Sequence, residues 1–133
     1  MGRRSIHTPE QLRLLILDAA QAIIEAHGLA GLSAREIARR IEYSPGTIYN
    51  MYDNLDDVVL HVEARVLDAL NERLAVAVGQ PGETPEHRIG ALAQAYLQFT
   101  HERPKLWNLL FEHYMTGGAE PPDWYRDKLS DLL

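Results

Sequence analysis

The 133 residues contain no cysteine, which excludes disulfide frameworks and thiolate metal sites and suits a reducing compartment. No apolar run approaches the length of a membrane span, and Met1 to Glu10 lacks a signal-peptide hydrophobic core. The expected location is the cytoplasm, with no membrane partner. Basic groups are in deficit: 13 Lys and Arg face 19 Asp and Glu, a net charge of -6, which argues against a general nucleic-acid binder. Repeats and low-complexity tracts are absent. The 6 histidines are scattered without a His-x-x-x-His spacing, and there is no nucleophile motif or Gly-rich phosphate loop. No enzyme, metal site or cofactor is expected. The nearest constellation, His101-Glu102 with Glu112-His113, reads most simply as exposed charges at helix ends.

What is present suits one soluble domain or two closely fused small ones, with 46% hydrophobic and 24% charged residues and enough length for a core. Charge is segregated. Residues 1–52 carry six Arg against five acids, whereas residues 53–133 carry seven basic and fourteen acidic groups. An acidic body behind an Arg-bearing head would turn the head toward phosphate, although acidic surfaces also serve solubility alone. Arg3 and Arg4 lie in a short polar arm suited to the DNA backbone or minor groove, or are ordinary terminal residues.

The pattern throughout is all-α. Thr8-Pro9-Glu10-Gln11 opens a first helix with a cap, a Pro and a capping-box Gln; Leu12, Leu15, Ile16, Ala19 and Ile23 form its stripe, and Gly28 ends it. Ser33 then caps a short helix, with Glu36 placed to complete a capping box and Ile37 and Ile41 on one face. Ser44-Pro45 is a second start signal. In the helix it opens, Ile48 and Tyr52 point inward, leaving Thr47, Tyr49, Asn50 and Met51 outward.

Two short helices so joined fit a helix-turn-helix, whose second helix enters the major groove. Ser44 and Thr47 are short hydrogen-bonding residues, Gly46 permits close backbone approach, and Tyr49 and Asn50 extend far enough to reach phosphate and base. On spacing alone, the pattern fits any capped helical hairpin equally well.

The string Ala-Arg-Glu-Ile-Ala-Arg-Arg, followed by Tyr-Ser-Pro-Gly-Thr-Ile-Tyr-Asn-Met-Tyr, resembles the DNA-binding domain of the TetR family of bacterial transcriptional regulators, over residues 8 to about 62. The resemblance implies a three-helix head at residues 1–52, a long connecting helix, and a partial helical effector-binding and dimerisation region at 53–133. It implies operator DNA as partner, with Ser33, Arg35, Tyr43, Ser44, Gly46, Thr47, Tyr49 and Asn50 at the contact. Two departures stand out. Many relatives place Lys or Arg at the start of the connecting helix, where this chain has Asp53, Asp56 and Asp57, and Glu42 occupies a turn position commonly Gly. Either that turn is reshaped or Glu42 accepts a strained backbone.

Asp53 and Asn54 can cap the connecting helix, which carries Leu55, Val58, Val59, Val62, Val66, Leu70 and Leu74 before Gly79 and spans about 36 Å. Further helices start at Thr84-Pro85 and Pro104, the latter closing at Gly117-Gly118, and a last one starts around Pro121-Pro122-Asp123. Tyr96, Phe99, Trp107, Phe111 and Tyr114 would line a pocket for a small apolar or aromatic effector, with His113 as a polar group, or else form core. Such an effector would release a repressor from its operator by tilting the long helix. The resemblance implies two further helices that pair subunits into homodimers; without them, either this chain is a shortened form or dimerisation uses some other surface. The alternative is a truncated helical partner that pairs with another TetR-like chain without specific DNA binding.

Overall fold

The computed structural model describes residues 7–79, 84–113, 115 and 118–132. Among them lie seven α-helices and no strand: α1 (Pro9–His27), α2 (Ala34–Ile41), α3 (Pro45–Met51), α4 (Leu55–Val78), α5 (Pro85–Glu102), α6 (Pro104–Glu112) and α7 (Asp123–Leu132). The architecture is the expected all-α one. One 3-10 turn, Leu29–Gly31, joins α1 to α2. Arg3 and Arg4 lie outside the described residues.

Local chemistry explains where the helices start. Thr8 accepts from the Gln11 amide and the Gln11 side chain accepts from the Thr8 amide, so the reciprocal box of α1 is complete. At α2 only half of the box forms. Ser33 Oγ accepts from the Glu36 amide, but the Glu36 carboxylate turns to Arg39 and Arg40, where two guanidinium partners offer more than one backbone amide. Asn54 alone caps α4, accepting from the Asp57 amide at 2.8 Å.

Helix ends follow the same logic. Gly28 stops α1 at φ 79, and three residues later a Cβ on Gly31 would stand 2.7 Å from His27 Cβ, so the turn closes against α1 only with glycine there. Arg103, which precedes Pro104, leaves the helical region and separates α5 from α6. Helix α6 stops at Glu112 rather than at the Gly117-Gly118 pair, because His113 takes an extended backbone and its ring is held by carboxylates of α4.

The core is centred on α1. Ile16, Ile23 and Ile24 meet Ile37, Ile48, Val58 and Val62, and Leu106 and Leu109 of α6 join the same cluster. Met51, expected outward, is half-buried against this core, since α3 is short and its last turn folds back toward α1. Leu70 and Leu74 are only half-buried, because α4 outruns α1 at that end. No described helix is long and apolar enough to cross a membrane.

Candidate nucleic-acid interface and regulatory cavities

Helix α3 is held from inside. Ile48 is fully buried, and the Tyr52 hydroxyl donates to the Arg13 carbonyl at 3.0 Å. Arg13 returns the tie: its guanidinium donates to the Met51 carbonyl and lies 4.4 Å from the Tyr52 ring centroid. Burial pushes the Tyr52 phenol above its ordinary pKa, which keeps it a neutral donor. Sequence reasoning missed Arg13, since nothing local marks a contact 38 residues away.

With that anchoring, Ser44, Gly46, Tyr49 and Asn50 are exposed on α3 and the turn before it, while Thr47 is half-buried and shares a 3.3 Å hydroxyl contact with Ser44. Ser33 and Arg35 are exposed at the start of α2. Tyr43 is half-buried, packs against the core, and its hydroxyl shares a 2.8 Å hydrogen bond with His7 Nδ1. Glu42 ends α2 at φ 62, ψ 44, so the turn keeps its left-handed geometry without glycine. Arg39 and Arg40 both contact Glu36, at 2.6 and 3.2 Å, and their hydrogen bonds pull its carboxyl down to about 2.

The acids at the start of α4 have internal uses. Asp57 accepts from the Asp53 amide at 3.0 Å, and its carbonyl contacts His61 Nδ1. Asp56 reaches His113 Nε2 at 2.9 Å, while Glu63, only 3% exposed, meets His113 Nδ1 at 2.6 Å and accepts from the Tyr125 hydroxyl at 3.1 Å. An imidazole with both nitrogens on carboxylates donates twice only as the cation. Burial opposes that charge, but the hydrogen bonds the ring donates to Glu63 and Asp56 outweigh it and raise the His113 pKa above its ordinary value. His113 is therefore a buried bridge between α4 and the segment after α6, not an exposed end charge. Glu102, the other half of the anticipated pairing, is bound by Arg73. Glu63 had a readable signal: a carboxylate within the Val59, Val62, Val66 stripe.

Two cavities flank α6. One, of about 440 Å³ between α4, α6 and α7, is walled by Leu60, Leu67, Leu110, Trp107 and Phe111, with Glu63, His113 and Tyr125 supplying its polar side. The other, of about 220 Å³ between α1, α4 and the α5–α6 corner, includes Phe99 and Trp107. The anticipated aromatic pocket is thus divided. Trp107 borders both cavities, Phe111 and Phe99 one each, and Tyr96 neither; Tyr96 is exposed, its ring edge-to-face with Trp107 at 5.5 Å. Tyr114 lies outside the described residues. Among the described residues no group of three or more His, Cys, Asp or Glu could hold a metal ion.

Fold and site together define an all-helical helix-turn-helix protein: a short capped helix, a left-handed turn and an anchored second helix, joined by one long helix to a body with cavities. Residues 16–62 match the model of the bacterial regulatory proteins of the tetR family. The resemblance to that family of transcriptional regulators thus rests on the head and the first third of α4. The chain is 27% identical over 90 residues to YobS of Bacillus subtilis strain 168, an uncharacterized HTH-type transcriptional regulator, covering 68% of this chain and 46% of YobS. The chain therefore spans about half the length of that curated relative. Among solved structures, the candidate regulatory protein SCO4313 superposes with a TM-score of 0.73 at 22% identity, over 93% of this chain and 58% of that one. A candidate transcriptional regulator from Pseudomonas aeruginosa PAO1 gives 0.65 at 21%, over 96% and 60%. Both share the fold.

Proposed function

We propose that this chain is the operator-binding and sensing part of a cytoplasmic repressor, which works as a homodimer and leaves its DNA when a small apolar or aromatic effector enters the body. The observation that carries the DNA reading is the anchored α3. Its inner residues are locked to α1, and its outer residues are polar and exposed at the end that leads into a groove. Ser44, Thr47 and Asn50 read or position bases, Tyr49, Tyr43, Ser33 and Arg35 meet phosphate, and Gly46 lets backbone approach backbone. Nothing inside the chain demands glycine at 46, where a Cβ would meet only Ser44 Oγ at 3.8 Å. Arg39 and Arg40 add phosphate charge when they exchange Glu36 for DNA.

The effector reading is supported by the 440 Å³ cavity, which falls within the range of small-molecule sites and has apolar walls with a few polar groups. Trp107 and Phe111 are its aromatic contacts. Helix α4 carries both Glu63, in the cavity wall, and Asp56, in the turn nearest α3, so a ligand that disturbs His113 acts on the part of α4 that adjoins the head. Release requires that the effector bind the off-DNA state more tightly. Two heads about 34–36 Å apart would meet successive major grooves.

The test is fluorescence-anisotropy titration of duplex from the chain's own upstream intergenic region against a scrambled duplex, at two salt concentrations. Preference for the native duplex that weakens with salt is the expected result; equal binding to both overturns the reading. Tyr49→Ala is expected to lower affinity by about tenfold, the scale of one lost contact, with helical circular dichroism unchanged. Unchanged affinity removes Tyr49 from the interface.

A further inference from the structure

The 220 Å³ cleft has a composition unlike the rest of this acidic molecule. Three guanidinium groups, Arg65, Arg73 and Arg103, border it with a single carboxylate, Glu102. Its floor is apolar: Val66 and Leu106 are buried, and Phe99 and Trp107 stand edge-to-face with centroids 6.2 Å apart. We propose that this cleft is a binding site for a small aromatic monocarboxylate, held by an arginine fork at the mouth and by the Phe99 and Trp107 rings below. The site is separate from the operator surface and lies across Trp107, the one lining residue they share, from the larger cavity; it does not depend on the function assigned to either, and the arginine substitutions tell its occupancy from binding on the other side of Trp107.

The present partners of the arginines are exchangeable. Arg65 donates to Asp18 at 2.8 Å and to Gln21 at 3.1 Å, Arg73 holds Glu102 through two bonds of 3.0 and 2.8 Å, and Arg103 lies 3.5 Å from Glu25. Asp18 is 68% exposed, so Arg65 gives up a weak surface pair, while at Arg73 a ligand carboxylate exchanges one two-bond pair, with the 51% exposed Glu102, for another. A planar guanidinium takes a carboxylate through two parallel bonds. Arg73 already lies over the Phe99 ring, 5.8 Å from its centroid, so a ligand ring on that floor would have its carboxylate beside the fork.

Size sets the class. The cleft is smaller than the roughly 300–1,000 Å³ of drug-sized sites and suits one ring with its acid group. A neutral or cationic molecule of the same shape would leave the arginines with their present partners and gain only the floor. Occupancy would also replace ties from α4 and the α5–α6 corner to Asp18, Gln21 and Glu25 of α1 with ties to the ligand.

Benzoate and phenylacetate are the anionic probes, benzamide and benzylamine their neutral and cationic counterparts. Trp107 fluorescence reports binding once Trp124→Phe removes the other indole. The expected result is saturable binding of an anionic probe with a dissociation constant of about 1 mM or tighter, at least tenfold tighter than benzamide. Arg73→Gln and Arg65→Gln should each weaken it about tenfold, and Arg88→Gln, outside the cleft, should not change it. Arg73→Lys, which keeps the charge and loses the fork, should fall between and serves where the glutamine variant does not fold. Equal binding of benzoate and benzamide, absence of saturation by either anion up to about 10 mM, or indifference to the cleft substitutions overturns the proposal.

Discussion

Helices α1 and α5 begin alike and end up differently. Each has a Thr cap followed by Pro, and they run to 19 and 18 residues, yet α1 buries Leu12, Ile16, Leu17, Ala20, Ile23 and Ile24, whereas α5 buries Ala95 alone. The difference lies in their neighbours. Helix α1 is enclosed by α2, α3, α4 and α6, while α5 packs on α4 and touches α6, leaving Ile89 69% and Leu97 59% exposed. Start signals act locally: each Thr accepts from the amide three residues on, and α1 adds the returning Gln11 bond. Burial is decided by which other elements arrive, so the head is fixed by its packing while the body keeps cavities and apolar faces.

The contrast is tested hardest at His113. If the body is held by a polar bridge where the head is held by apolar packing, His113→Ala should cost about 3–5 kcal/mol in urea unfolding, because Glu63 and Asp56 remain as facing carboxylates without their cation. The sign with pH is defined. A histidine whose folded pKa is raised contributes its full stabilisation below the ordinary 6.5 and loses it as pH rises through the folded value. The gap between the native chain and the variant should therefore narrow from pH 6 toward alkaline pH. A gap independent of pH would mean that the ring acts by packing alone.

A smaller effect separates the two apolar surfaces. Ile48→Ala, at a fully buried site, should cost about 2–5 kcal/mol by denaturant midpoint. Leu97→Ala, of the same kind chemically, should stay within about 0.5 kcal/mol. A large loss at Leu97 that grows with protein concentration would show that another surface covers α5 in solution.

What could be read in advance follows from the range of each interaction. The Thr8 and Gln11 box and the Gly28 stop join residues within a turn, so sequence and structure agree there. At Ser44-Pro45 the helix starts where expected, but Ser44 makes no capping bond and its hydroxyl meets that of Thr47 instead. The inward set of α3 was legible from Ile48 and Tyr52, one turn apart. Contacts joining distant segments were not. Arg13 to Met51, His7 to Tyr43 and His113 to Glu63 depend on helix placement that periodicity does not encode. The aromatic residues of α5 and α6 were legible as a group but not in their division. Helix α6 lies between the two cavities, and its Trp107 is the shared wall.

The better-packed region also carries the one described non-glycine residue with positive φ, and this gives an effect smaller than those at His113 and Ile48. Glu42 at φ 62 pays the left-handed penalty of about 1–2 kcal/mol, which glycine avoids while losing about 0.5–1 kcal/mol through the freedom of its unfolded chain. Glu42→Gly should therefore stabilise by about 0.5–1 kcal/mol, read as a higher denaturant midpoint at unchanged slope. Glu42→Ala separates the causes, since it removes the same carboxylate and keeps the Cβ. If alanine stabilises as much as glycine, the gain comes from charge; if only glycine does, it comes from the backbone. Both variants lose a negative charge from the turn between α2 and α3, so on the proposed operator reading both should bind DNA more tightly at low salt, and by similar factors. Stability should then follow the backbone, and affinity the charge.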